Sequence, residues 1–185
     1  MTDSQNKSSF GPCNLIGAAL MLALVAASAF ATTVTKLNLE QLVTRADLIV
    51  QGQVQSVYSQ WDEEHRLVFT YVSLRVDESI KGSSRQSVLI RQVGGTVGTV
   101  QMSIAGLPQF RTGETAIAFL KHQDHSTFQV VGMSQGLYEV VQDYAVSNVY
   151  GVHLFDNQSG EITKPLIGVR APLEQLKTKI RELLR

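Results

Sequence analysis

The sequence predicts a mainly β protein: an antiparallel barrel or sandwich with a short helix ahead of the strands and a second helix after them. Two observations carry this. Short runs of alternating apolar and polar residues follow one another from Ala46 to Val141, with glycine-bearing or charged turns between them. Helical periodicity occurs only at the two flanks, so there is no βαβ alternation and no Rossmann or TIM-barrel reading.

The first 31 residues stand apart from this pattern. Lys7 gives a weakly basic start, an apolar run extends from Leu15 to Val25, and small residues end in Ala29-Phe30-Ala31. Together they read as a secretory leader, cut after Ala31 or, as second choice, after Ala29, so that Thr32 begins the mature chain. An uncleaved anchor is the alternative, with Leu15 to Ala31 at the short limit of a spanning helix. The expected location is therefore outside the cytoplasm, periplasmic or secreted, with membrane contact only through an uncleaved leader. The single cysteine, Cys13, precedes the apolar run, which leaves the mature chain without disulfide or thiol chemistry.

Residues 32–185 suit a single domain, with a core expected over 46–141 and a C-terminal extension over 142–185. The whole chain carries 16 basic and 16 acidic residues; the leader removes one of each, Lys7 and Asp3. A zero balance without any basic run argues against a nucleic-acid partner, because phosphate binding needs concentrated positive charge.

Asn38 can cap a helix bearing Leu39, Leu42, Val43 and Ala46, ending near Asp47. Ala46 to Trp61 alternates Leu48, Val50, Gly52 and Val54 against Gln51, Gln53 and Gln55, as a half-buried strand does. Asp62 to Arg66 turns the chain. Leu67 to Ile80 sends Val68, Thr70, Val72, Leu74 and Val76 inward, with Phe69, Tyr71, Ser73 and Arg75 on the other side. Ser87 to Val93 is a third strand. A looser glycine-bearing region follows, from Gly94 to Gly113, with pairing possible near Val100 to Ile104. Thr115 to Leu120 reads as a buried strand, and Phe128 to Met133 and Gly136 to Val141 as two more around Ser134-Gln135. The signal then weakens, with a hairpin expected at Asn148 to Phe155 turning at Asp156 to Gly160. Pro172 opens a final helix with a stripe of Leu173, Leu176, Ile180, Leu183 and Leu184.

Three motifs bear on chemistry. Gly132-Met133-Ser134-Gln135-Gly136 matches G-x-S-x-G, and Asp143 and His153 follow in hydrolase order. A nucleophile elbow, however, is strand–turn–helix, whereas Leu137 to Val141 are strand formers. The expected element is a hairpin with Ser134 in its turn and no catalytic residue. His122-Gln123-Asp124-His125 offers metal-ligating types, but in a polar turn between strands, with only His65 and His153 elsewhere; no metal is expected. Gly94 to Gly98 lacks the Gly-Lys-Ser/Thr ending and the following helix of a phosphate loop, and reads as a flexible loop. No cofactor is implied. Trp61, Phe69, Tyr71 and Arg75 are the candidate partner contacts: on an OB-type barrel, strand-face aromatics can stack on a ligand. The competing expectation is that an end helix or the C-terminal hairpin covers them.

Three segments together carry a resemblance: Ala46 to Trp61; Val72 to Gly82 with Ser87 to Gly95; and Gly106 to Leu120 with Phe128 to Val140. The set resembles a group of exported bacterial proteins of uncharacterised role. It is similar in outline to netrin-like/TIMP-like modules, which are OB-type five-stranded barrels. Their "V-x-G-x-V" strand, long strand ending in "K-G" and late "x-G-x" turn correspond to Val50–Val54, Leu74–Gly82 and Gly113–Leu120. The resemblance implies an antiparallel OB-like barrel and a non-catalytic binding or inhibitory module with a protein or envelope partner, including an exported peptidase. TIMP-type inhibition depends on an N-terminal cysteine, whereas the expected mature chain starts Thr32-Thr33-Val34. The other function classes are a small serine hydrolase using Ser134, with His153 as base, and a membrane-anchored structural or assembly protein.

Overall fold

The computed structural model describes residues 32–164 and 167–185. The expected cleavage residues Ala29 and Ala31, with the rest of the leader, lie outside the described residues. Thr32, the expected first residue of the mature chain, opens strand β1 (Thr32–Thr35).

Helix α1 (Leu39–Arg45) starts where the sequence places it. Asn38 and Gln41 form a reciprocal capping box: the Gln41 N–H donates to Asn38 Oδ1 at 2.8 Å, and the Asn38 N–H to Gln41 Oε1 at 3.0 Å. Strands β2 (Leu48–Trp61), β3 (Val68–Lys81) and β4 (Ser87–Val93) then form an antiparallel meander. The β2–β3 register shifts beside Ile49, Gln51 and Val54, with the extra residue at Ile80 and Asp77 of β3 and at Gln55 of β2, and these bulges bend the long hairpin. Gly52 is required by this curvature: a Cβ there would sit 2.2 Å from the Arg75 carbonyl oxygen.

The expected loose region is ordered differently. β5 (Gly95–Val97) pairs with β6 (Val100–Met102) as a small ribbon. Within the Gly94–Gly98 segment, Gly95–Val97 is thus a strand laid against the barrel, not a flexible loop. Thr70 Oγ1 donates to the Gly94 carbonyl at 2.6 Å, and Gly95 has no room for a Cβ between Ser59 and Thr70.

β7 (Thr115–His122) pairs along one edge with β2; β8 (Thr127–Val130) pairs with both β7 and β4. The pairings run β7–β2–β3–β4–β8–β7, a closed circuit of five strands with the connectivity of an OB-type barrel. Four of these five pairings are antiparallel, as expected, and β4–β8 is parallel. An odd-membered circuit cannot alternate direction at every pairing, so at least one parallel neighbour is unavoidable.

Beyond β8 the chain takes one 3₁₀ turn (Met133–Gly136) and continues as β9 (Leu137–Val141), β10 (Tyr144–Asn148), β11 (Val152–Phe155), β12 (Ile162–Thr163) and β13 (Ile167–Pro172). β9, β10 and β13 widen the main sheet past β7. β11 instead pairs in parallel with β1 and antiparallel with β12. The hairpin expected at Asn148 to Phe155 is present from Val152 onward as β11–β12, whereas Asn148 ends β10 in the other sheet, with Gly151 at φ +70° between them. The turn at Asp156 to Gly160 is present, closed by the Gly160 N–H donating to the Asp156 carbonyl at 2.8 Å.

Helix α2 (Leu173–Leu183) follows β13 directly, with Pro172 at its N-cap. Two cores result. The barrel interior holds Val50, Val54, Leu74, Ile90, Leu120 and Phe128. A second core lies between the outer face of the sheet and the two helices, built from Leu42, Ile49, Ile117, Phe119, Leu176 and Ile180. β7 has a buried residue at each of five consecutive positions because it faces a core on both sides. The predicted stripe of α2 is only partly used: Leu183 and Leu184 lie past the second core and are exposed.

Candidate functional site

The G-x-S-x-G pentapeptide sits where the sheet forks. Leu120 of β7 pairs with Val130, and Ala118 with Leu137, so two steps along β7 face seven along the partner, an excess of five residues. That excess is Gly132 to Gly136. The expected hairpin is thus corrected: β8 and β9 lie along the same edge of β7, and the pentapeptide is a bulge thrown out between them. Leu137 to Val141 is strand, as expected. Gly132 takes a left-handed φ of 67°, and a Cβ on Gly136 would meet the Val131 carbonyl oxygen at 2.3 Å.

Ser134 is buried, and its hydroxyl has no hydrogen-bond partner among the described residues. Its backbone N–H donates to the Gly106 carbonyl at 2.9 Å. The neighbouring Gln135 holds the bulge in place. The Leu37 N–H donates to its Oε1 at 2.8 Å, and its Nε2 donates to the carbonyls of Thr35 at 2.9 Å and Gly132 at 3.2 Å. The pentapeptide therefore fastens the N-terminal segment to the barrel.

The histidine-bearing turn is likewise occupied with its own backbone. Asp124 accepts from the Thr127 hydroxyl at 2.6 Å and from the N–H groups of Ser126 and Thr127, which hold its carboxyl far below the ordinary carboxylate range. The His122 ring packs on Phe128, 4.4 Å between centroids. No group of three His, Cys, Asp or Glu side chains gathers as metal ligands among the described residues.

The predicted contact residues separate into two sets. Trp61 and Tyr71 line one open cleft of about 430 Å³ beside the β2–β3 turn, together with Arg91 of β4. Register explains the grouping: Tyr58, Tyr71 and Arg91 stand opposite one another on three adjacent strands. Tyr58 and Tyr71 stack at 5.3 Å with 12° between their planes. Phe69 is buried. The Arg91 guanidinium lies over its ring, 3.9 Å from the centroid. Arg75 stands four residues farther along β3, pairs with Asp77 at 3.3 Å and does not line the cleft.

Arg91 is the residue that sequence reasoning missed. Its signal was a lone arginine inside the apolar run SVLIRQV, but its meaning depends on a cross-strand register that alternation does not supply. Its Nη1 lies 3.8 Å from Asp124, and its Nε is buried without a partner among the described residues. The guanidinium thus carries hydrogen-bonding capacity that the described protein groups leave unused.

The cleft's rim is a pinned turn. Asp62 Oδ1 accepts from the N–H groups of Arg66 at 2.6 Å and Leu67 at 3.1 Å, and the Asp62 N–H donates to the Leu67 carbonyl at 2.8 Å. Trp61 stacks on His65, whose φ of 53° completes the reversal. Arg66 forms an ion pair with Glu64. The site is thus a concave aromatic surface with a stacked guanidinium as floor and mixed charge at its edge, on a mainly β scaffold. No protein-family model matches the chain, and no curated protein is found to match it.

Proposed function

We propose that this chain is an exported, non-catalytic binding module that engages a protein partner through the cleft formed by Trp61, Tyr71 and Arg91. The carrying observation is the convergence of these three side chains, with Tyr58 stacked behind, at the tip of the β2–β3 hairpin. Trp, Tyr and Arg are the residue types most enriched among interface hot spots, since each buries a large surface and offers a directional polar group. The pinned turn supports the reading: a rim held by its own hydrogen bonds loses little entropy on binding. Ligands of OB-type barrels occupy the corresponding strand face and loops.

Glu63 and Glu64 stand on the same rim as Arg66. Mixed charge suits a polypeptide, whose side chains carry both signs, and opposes a polyphosphate backbone. The apolar leader pattern supports export, which places an envelope protein, including a peptidase, among the candidate partners. The test is capture from an envelope extract by wild-type protein and by the Tyr71→Ala/Arg91→Ala double variant. Specific retention by the wild type, lost in the folded variant, supports the reading; identical retention by both overturns it.

A further inference from the structure

We propose that a second, apolar pocket, which shares no lining residue with the cleft, binds a single-chain carboxylate, with Lys36 and Lys164 meeting its head group. The pocket has a volume of about 540 Å³, within the range of roughly 300–1,000 Å³ usual for ligand sites. It lies where α1, the β9–β10 pair and the β11–β12 hairpin meet. Its apolar wall comprises Leu37, Leu42, Tyr138, Val149, Leu154 and Val169.

The chemistry of the lining selects the occupant. Among the described lining residues the charged side chains are Lys36 and Lys164, and none is acidic. Both lysines are exposed, so the charge lies at the mouth and the apolar surface behind it. Lys36 is shared with Asp156 at 3.1 Å, an exposed pair of the kind that holds its partners weakly. A buried carboxylate on the apolar wall would repel an anion, and there is none among those residues. Tyr138 adds a hydroxyl that stays protonated, since burial pushes its pKa up. The ligand that satisfies both halves is an apolar chain ending in an anionic group. A neutral chain would forgo the lysines, and a cationic one would be opposed by them.

Gln135 also lines this pocket, with its amide already committed to Leu37, Thr35 and Gly132. The bulge that fastens the N-terminal segment therefore fixes the pocket wall as well. Occupancy and the order of residues 35–37 should then be coupled, since a ligand that contacts Lys36 and Leu37 favours the fastened state.

The experiment is calorimetric titration of the full chain with sodium laurate below its micelle concentration, with dodecanol and dodecylamine as neutral and cationic controls. Saturable one-site binding of laurate is expected, with the Lys36→Gln/Lys164→Gln variant about tenfold weaker for laurate and unchanged for dodecanol. Ser147→Phe, and independently Val169→Trp on the exposed edge strand, should block laurate while circular dichroism reports a folded chain. Absence of saturable laurate binding by the wild type would overturn the proposal. So would equal affinity for laurate and dodecylamine, or laurate binding unaffected by the lysine variant and by whichever pocket-filling variant folds.

Discussion

Two neighbouring residues of the bulge, Ser134 and Gln135, should respond to alanine in opposite ways. Gln135→Ala removes three hydrogen bonds, to Leu37, Thr35 and Gly132. At about 1 kcal/mol net for each, the loss is roughly 3 kcal/mol. The buried side-chain methylene adds about 0.8 kcal/mol. Freedom from ordering a glutamine side chain returns about 1.5 kcal/mol. The net destabilisation is roughly 2 kcal/mol, equivalent to a melting midpoint about 4–8 °C lower in a domain of this size. Ser134→Ala removes a buried hydroxyl that has no partner among the described residues. Burying such a group is costly, so its loss should leave stability within about 0.5 kcal/mol of wild type or raise it by up to about 1 kcal/mol. Urea unfolding of both variants measures these differences, and hydrogen exchange at the Leu37 amide should accelerate only in Gln135→Ala. A loss below about 0.5 kcal/mol for Gln135→Ala would refute the fastening role, as would a Ser134→Ala loss above about 1 kcal/mol. Fluorophosphonate labelling of the folded wild-type chain, abolished by Ser134→Ala, would reopen the hydrolase reading.

Two further outcomes concern stability. Lys177 and Arg181 donate to the Glu78 carboxylate at 2.8 Å and 2.6 Å, joining α2 to β3. The Lys177 bond is the larger influence that holds the Glu78 carboxyl below its ordinary value of 4.5, against the opposing effect of burial. A depressed carboxylate stabilises the fold above its unfolded pKa and loses that contribution as pH falls through the folded pKa. Melting midpoints of wild type and Glu78→Gln should therefore differ near neutrality and converge below pH 4.5; a gap that persists unchanged in acid would contradict this. Gly52→Ala should destabilise by about 2 kcal/mol or more, since its Cβ would meet backbone of the paired strand; unfolding indistinguishable from wild type would show that the β2–β3 pair yields easily.

The cleft and the pocket were legible to different degrees. Trp61 and Tyr71 could be named from the alternation of β2 and β3, which fixes the face of each residue. Arg75 shares that face with Tyr71 yet sits at the wrong height, because period-two patterning gives a side but not a position along the strand. Tyr58 joins the site through the β2–β3 register, which the extra residue at Gln55 shifts, and Arg91 through the β3–β4 register; no local pattern marks either. The apolar pocket draws on segments from Lys36 to Val169, and its C-terminal strands have weak periodicity, so nothing local foretold it.

By itself the sequence determined the mainly β character, the first helix and its cap, the strands from β2 to β4 and β7, and the strand after Gly136. Each of these rests on interactions within a few residues: a capping box, alternation against a single face, a turn that needs glycine. The tertiary structure alone decided the parallel β4–β8 contact, the fork at Gly132 to Gly136 and the division of the C-terminal strands between two sheets. These depend on which strands meet across long stretches of chain, and that choice is made by closing the barrel and burying both faces of β7. The same physics positions the pentapeptide: Ser134 is enclosed at a fork, and the neighbouring Gln135 makes the bonds that hold it there.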